Sequence, residues 1–395
     1  MTGDPSSATL DERVAGRTVL HVTTTDISLE LLLGPHLSAL KDAGMRVVTA
    51  SAPGPHVAPL LERGVEHIPL NSSTRSMSLA SDARAIRELA SVIRSVRPDI
   101  IHLHNPKPGV YGRILGRILG VPVVVNTVHG LYAQPSDRLA KRAVVYSLER
   151  IAAAFSHAEL IQNPEDIVTL RSLRLPDRKL NLLGNGIDLD RFRPAAGEDD
   201  GDRSTLRAEL GISSDAVVVL AVGRMVAEKG YPELFEAFES IVDAGAELVV
   251  VGPAEPDKSD GMTNADLERA TASGVHFTGF RDDVHRWYRA ADIYVLASRR
   301  EGFPRSAMEA AASGLPVIAT DIRGCRQVVE HDRTGKLVAV RSPQDLAVAM
   351  AQLIGDATAR REMGAAGVAK AAAEFDQRTQ IAITKRVYAQ YLPPR

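Results

Sequence analysis

Residues 217–239 read VVVLAVGRMVAEKGYPELFEAFE. Val217–Val222 is a continuous apolar run, short enough for a strand and apolar enough to be covered on both faces. A loop from Gly223 to Gly230 follows, and a helix begins near Tyr231-Pro232. Strand, loop and helix in that order form the unit of a parallel α/β sheet, because a parallel return needs a crossover. The loop places Arg224 and Lys229 at the C-terminal end of the strand, where such sheets hold ligands. Two cations beside a helix N-terminus suit a diphosphate and can neutralise charge on a departing phosphate. Two solvated surface charges is the plainer alternative.

The same rhythm runs outward in both directions. Downstream, strands are expected at Glu247–Val251, Val275–Thr278, Ile293–Leu296 and Val317–Ala319, and the chain after Ser342 reads as helices. Upstream, they are expected at Thr18–Thr23, Arg46–Ala50, Ile100–His104, Val123–Thr127 and Glu159–Gln162, with helical patterns between. RFRPAAGEDDGDRST (191–205) reads as a linker. The expectation is an α/β protein of two doubly wound domains, 1–188 and 189–375, facing a central cleft, with a C-terminal helix over 376–395 packing back toward the first domain.

Composition agrees. The 395 residues exceed one ordinary core of about 250–300 residues. With 45% hydrophobic and 24% charged residues the chain is neither wholly disordered nor membrane-embedded. The polar start, MTGDPSSATLDER, is not a signal-peptide pattern, and one cysteine, Cys325, excludes an intrachain disulfide, so a cytoplasmic protein is expected. The net charge of −2 hides a basic window: Arg84 to Arg150 holds 11 basic and 4 acidic residues. That window suits an anionic partner such as the inner face of a membrane. Nucleic acid is disfavoured, because only 17 aromatics occur in the chain and none cluster there.

SRREGFPRSAMEAAASGLPVIAT (298–320) carries the second signal. Ser298 to Pro304 is a loop and Arg305–Ser313 a helix, with Pro304 suited to the first helical position. Glu301 in the loop and Glu309 one turn into the helix can face one ligand. Glu309 stands in an apolar run, an unusual place for a carboxylate without a partner. His102 and His104 share a strand face, but no third metal ligand lies nearby in sequence, so no metal site is expected. No G-x-S-x-G, Walker A or G-x-G-x-x-G occurs in its required context, against hydrolase, kinase and dehydrogenase readings.

EGFP followed by Glu309 resembles the E-x7-E signature of the retaining GT-B glycosyltransferases of family 4. VGRMVAEKG (222–230) resembles that family's donor-phosphate motif, NGID (185–188) its interdomain motif and FTGFRDDV (277–284) its base-side loop. TVHG (127–130) resembles its N-domain histidine motif, and HNPKPGVYGRILGRILGVP and DIRGCRQVV resemble bacterial members that build surface polysaccharides. The resemblance covers about residues 18–390 and implies two Rossmann-like domains.

It further implies that Arg224 and Lys229 hold the donor diphosphate, Glu309 the ribose and Glu301 the transferred sugar. Gly302, Phe303, Pro304 and Arg305 would line the donor, with Gly223, Phe280 and Arg281 on the nucleotide side. His129 would approach the donor sugar, and Asn185, Gly186 and Asp188 belong to the interdomain motif. The first loop, HVTTTDISLELLLG (21–34), lacks the glycines common in the family. Asp26 or Ser28 is expected to cap the helix after it. This loop, through Thr24, Asp26 and Ser28, and the segment with Asn105 and Lys107 are assigned to the acceptor side. The implied activity is transfer of a sugar from a nucleotide sugar, UDP-linked, to a glycan, polyprenyl-linked glycan or small-molecule hydroxyl. No cofactor or metal is required. A nucleotide-sugar 2-epimerase of the same fold and a non-catalytic nucleotide- or glycan-binding scaffold remain the alternatives.

Overall fold

The computed structural model describes residues 5–74, 79–133, 137–195, 197, 201–241, 245–256 and 258–394. The chain divides into two compact units, 1–184 with 378–395, and 185–377. The borders fall a few residues from the expected 188/189 and 375/376.

The first unit is a parallel sheet of β1 (Thr18–Thr25), β2 (Arg46–Ala52), β3 (Glu66–Pro69), β4 (Ile100–Leu103), β5 (Val123–Val128), β6 (Ala158–Ile161) and β7 (Leu180–Leu182). Their order is β3-β2-β1-β4-β5-β6-β7. The second unit holds β8 (Val217–Val222), β9 (Ala246–Val251), β10 (Val275–Gly279), β11 (Ile293–Leu296), β12 (Val317–Thr320) and β13 (Gly335–Val338), in the order β10-β9-β8-β11-β12-β13. Both sheets are doubly wound, so strand order reverses once in each: between β1 and β4, and between β8 and β11.

Central strands are apolar on both faces because helices cover both. Val123, Val124 and Val125 are completely buried, and each contributes about 1.5–3 kcal/mol of burial. β3, β7 and β13 were not expected from the sequence. Each is three or four residues long and lies at a sheet edge, so none needs an unbroken apolar run. The C-terminal helix Gln377–Tyr391 lies almost wholly in the first unit, where Val387, Tyr388 and Ala389 join the core that contains Val19 and Val123.

The linker reading needs correction. Residues 196 and 198–200 lie outside the described residues, but Phe192 is buried in the core of the second unit and a helix spans Asp202–Glu209. Asp202 there accepts from Arg286 and Arg289, partners more than eighty residues away that a composition count does not see.

Candidate active site

In the second unit, Gly223, Arg224 and Lys229 follow β8 and Glu301 to Pro304 follow β11, on the two loops that flank the β8/β11 reversal, whereas Phe280 and Arg281 follow the edge strand β10. After β8 the turn Ala227–Lys229 closes on Gly230. Its φ is 75°, and a Cβ there would lie 2.0 Å from the Ala297 oxygen, so only glycine fits. Lys229 Nζ donates to Glu301 Oε1 at 2.6 Å, and Ser298 Oγ donates to the same oxygen at 2.8 Å. The β8 and β11 loops are thereby joined through one carboxylate. Gly324 admits the Glu301 backbone from the other side: a Cβ there would meet the Glu301 oxygen at 2.6 Å.

Arg224 Nη1 donates to Glu255 Oε2 at 2.7 Å. Both cations thus have a carboxylate partner in a partly exposed pair. Such pairs contribute only ~0–1 kcal/mol, so an arriving phosphate can displace the carboxylate.

Glu309 lies one turn into the helix Arg305–Ala312. Its Oε2 accepts from the Tyr288 hydroxyl at 3.1 Å, and Arg305 Nε lies 4.0 Å from Oε1. Burial raises its pKa, with Arg305 and Tyr288 opposing the rise. Pro304 is the N-cap, not the first helical residue: its ψ of 115° is extended, so helical geometry begins at Arg305.

The Phe303 carbonyl accepts from Asn185 Nδ2 at 3.0 Å, and the Gly186 N–H donates to Asn185 Oδ1. Asp188 accepts from the N–H groups of Asp190 and Arg191, which shapes a turn. Phe280 is 68% exposed. Arg281 bonds to Asp283 and Glu209 and covers the Trp287 ring, so its cation is engaged within the unit. Gly223, which follows β8, passes its carbonyl to the Tyr231 hydroxyl at 3.0 Å.

In the first unit, Thr24, Asp26 and Ser28 fall at or after the end of β1, and Asn105 and Lys107 after β4, on the segments flanking that reversal, with Ser28 opening the helix Ser28–Leu32 and Lys107 in the first turn of the helix Pro106–Ile118. The Thr24 N–H donates to Asn105 Oδ1 at 3.0 Å, with Asn105 at a φ of 67°. Neither Asp26 nor Ser28 caps the following helix. The N-cap is Ile27, without a side-chain bond, and Asp26 Oδ2 instead accepts from the His56 N–H at 2.8 Å. Lys107 is paired with Asp82 at 2.6 Å. His129 is half-buried after β5, its Nε2 3.0 Å from His104 Nδ1. Burial pulls its pKa down to about 4, with Gln162 acting slightly the other way.

Residues 216–356 match the family model for glycosyl transferases group 1, and residues 20–158 match that for glycosyl transferase 4-like domains. A D-inositol 3-phosphate glycosyltransferase of Xylanimonas cellulosilytica is 32% identical over 311 residues, 74% of this chain and 72% of that one. The chain belongs to the group 1 glycosyltransferases.

A second relative of this glycosyltransferase, 28% identical over 71% of the chain and 73% of its own length, is the Escherichia coli UDP-Gal:alpha-D-GlcNAc-diphosphoundecaprenol alpha-1,3-galactosyltransferase. Among solved structures, a Rickettsia africae glycosyltransferase superposes with a TM-score of 0.78 at 19% identity, covering 96% of this chain and 99% of its own. Anabaena HepE, solved in complex with UDP and glucose, superposes with 0.77 at 20%, covering 95% and 99%. The fold is GT-B, with two Rossmann-like units.

Several partners in this glycosyltransferase were not foreseen. Ser298 stands three residues before Glu301, a local signal that was legible. Tyr288 and Glu255 reach Glu309 and Arg224 across 21 and 31 positions, with no motif to mark them. His21, on β1, joins His102 and His104 as a third buried histidine. Sequence proximity had offered none, because β1 and β4 are adjacent only in the sheet.

Proposed function

We propose that this glycosyltransferase moves a sugar from a UDP-sugar to a hydroxyl of a lipid-linked glycan, with retention at the anomeric carbon. The observation that carries the reading is the Lys229–Glu301–Ser298 junction at the strand reversal of the second unit, with Glu309 half a helix away. Support for UDP and for a lipid-linked acceptor comes from the relatives, one named for UDP-Gal and a diphosphoundecaprenol acceptor, and from the UDP complexes of a structural neighbour.

In this reading Glu309 accepts two hydrogen bonds from the ribose diol. Arg224 and Lys229 exchange their carboxylates for the diphosphate. Glu301, released from Lys229, accepts from hydroxyls of the transferred sugar, which His129 also meets. The bond from C1 to the phosphate oxygen breaks as the bond from C1 to the acceptor oxygen forms on the same face. The acceptor proton passes to the departing phosphate oxygen, whose charge the two cations stabilise. Cations and backbone amides supply the diphosphate site, and no metal is invoked.

The acceptor reading places the enzyme at the cytoplasmic face of a membrane. No helix among the described residues is long and apolar enough to cross one. The helix Leu139–Ala153 supports surface contact, since Leu139, Val144, Leu148 and Ile151 are 78%, 60%, 44% and 55% exposed. Arg138 and Arg150 are exposed on the same segment. Exposed apolar side chains on a segment that also carries exposed arginines suit an anionic lipid interface.

The test is a thermal-shift panel of UDP, GDP, ADP and their sugars on wild type and Glu309→Ala. A ligand at about 100 times its Kd stabilises by about 2.7 kcal/mol. A shift by UDP or one UDP-sugar that Glu309→Ala abolishes is expected. No shift from any nucleotide sinks the donor assignment.

A further inference from the structure

Beneath His129 the first unit holds a continuous run of hydrogen-bonded rings. His21 on β1 and His102 on β4 are register partners. His102 Nε2 lies 2.7 Å from Thr127 Oγ1, and His102 Nδ1 lies 2.5 Å from the Tyr388 hydroxyl on the C-terminal helix. That hydroxyl is 3.5 Å from His21 Nε2. His21 Nδ1 is 3.1 Å from His104 Nε2, and His104 Nδ1 is 3.0 Å from His129 Nε2. The run ends at His129 Nδ1, which is buried and has no partner at full hydrogen-bond geometry among the described residues, although the Gln162 side chain interacts with the ring.

Burial keeps every member neutral. It pulls His21 down to about 3 and His102 and His104 well below the usual range, and it holds the Tyr388 phenol well above its own. A neutral imidazole has one N–H and one lone pair. Each ring in a run must therefore donate at one end and accept at the other, so one fixed link orders all the rest.

The Tyr388–His102 link fixes the order. At 2.5 Å it fits an O–H donor, because bonds from O–H are shorter than those from N–H. Tyr388 then donates to His102 Nδ1, and His102 donates from Nε2 to Thr127. The phenol oxygen is left to accept from His21 Nε2–H. His21 Nδ1 accepts from His104, and His104 Nδ1 accepts from His129.

We infer that this ring relay locks His129 as its Nε2–H tautomer and so presents Nδ1 as a lone pair for a substrate hydroxyl. The functional part rests on the reading of His129 as the group that meets the transferred sugar. His21, His104 and Tyr388 are positioning residues in this scheme. A buried polar atom without a partner at full hydrogen-bond geometry is what a site awaiting a ligand's hydrogen bond looks like. The rival use of three clustered histidines, a metal site, needs three lone pairs aimed at one point. Here all six ring nitrogens of His21, His102 and His104 already face partners inside the run.

The test is 15N NMR of the histidine ring nitrogens in the full chain, with His129 assigned by its loss in His129→Asn. Wild type should show a protonated Nε2 and a bare Nδ1 on His129. Tyr388→Phe removes one hydroxyl and keeps the packing; it should mix the His129 tautomers and lower kcat/KM for the UDP-sugar about tenfold, while UDP alone still shifts the melting point. An Nδ1–H tautomer in wild type, a His129 spectrum unchanged in Tyr388→Phe, or stoichiometric zinc in the purified protein would each overturn the relay. Failure of the glycosyl-transfer reading shows separately, as a missing UDP shift.

Discussion

Lys229 shows how a residue legible as a cation acquires a job only through its neighbour. Its ammonium is held 2.6 Å from Glu301, in a pair that keeps some access to solvent. Removing it costs little stability, since partly exposed pairs contribute ~0–1 kcal/mol. Removing it from a site where phosphate charge develops costs far more. Lys229→Ala is expected to lower turnover at least ~10²-fold with a nearly unchanged melting point, and steady-state kinetics beside a thermal melt check it. Glu309 was conspicuous as a carboxylate in an apolar run. The hydroxyl that satisfies it, on Tyr288, was not, because nothing local ties position 288 to 309.

Among elements, the loop between β8 and the helix Tyr231–Glu239 is the most constrained. Gly230 combines a φ of 75° with a would-be Cβ 2.0 Å from the Ala297 oxygen. Gly230→Ala must push apart the two loops that Lys229 and Glu301 join. It is expected to destabilise the fold by about 1–3 kcal/mol and to weaken UDP binding as well, read by melting with and without UDP. A normal melt and a normal UDP shift would show that the loops yield freely. Central strands and long helices were legible because each has a full period of apolar residues. Edge strands such as Leu180–Leu182 were not, since pairing along one side needs backbone groups, not side chains.

At the scale of the molecule, the exposed stripe of the helix Leu139–Ala153 makes the remaining prediction. Leu148→Glu with Ile151→Glu should release the protein from anionic vesicles in a sedimentation assay and leave the melting point alone, because both side chains already face solvent. Undiminished binding would remove that helix from the membrane reading. The sequence by itself determined the α/β class, a two-unit division placed at residue 188, four residues from the observed border, and the donor-side motifs. All of these are written in short-range periodicity and in loops of fixed spacing. The tertiary structure alone decided that Asp202 is a buried ion-pair partner in a helix, that Asp26 bonds to His56, and that Tyr388 of the last helix completes a histidine run begun on the first strand. The physical reason is range: helices and strands are ordered by near neighbours, whereas a parallel sheet and a returning C-terminal helix bring together side chains as many as 374 positions apart.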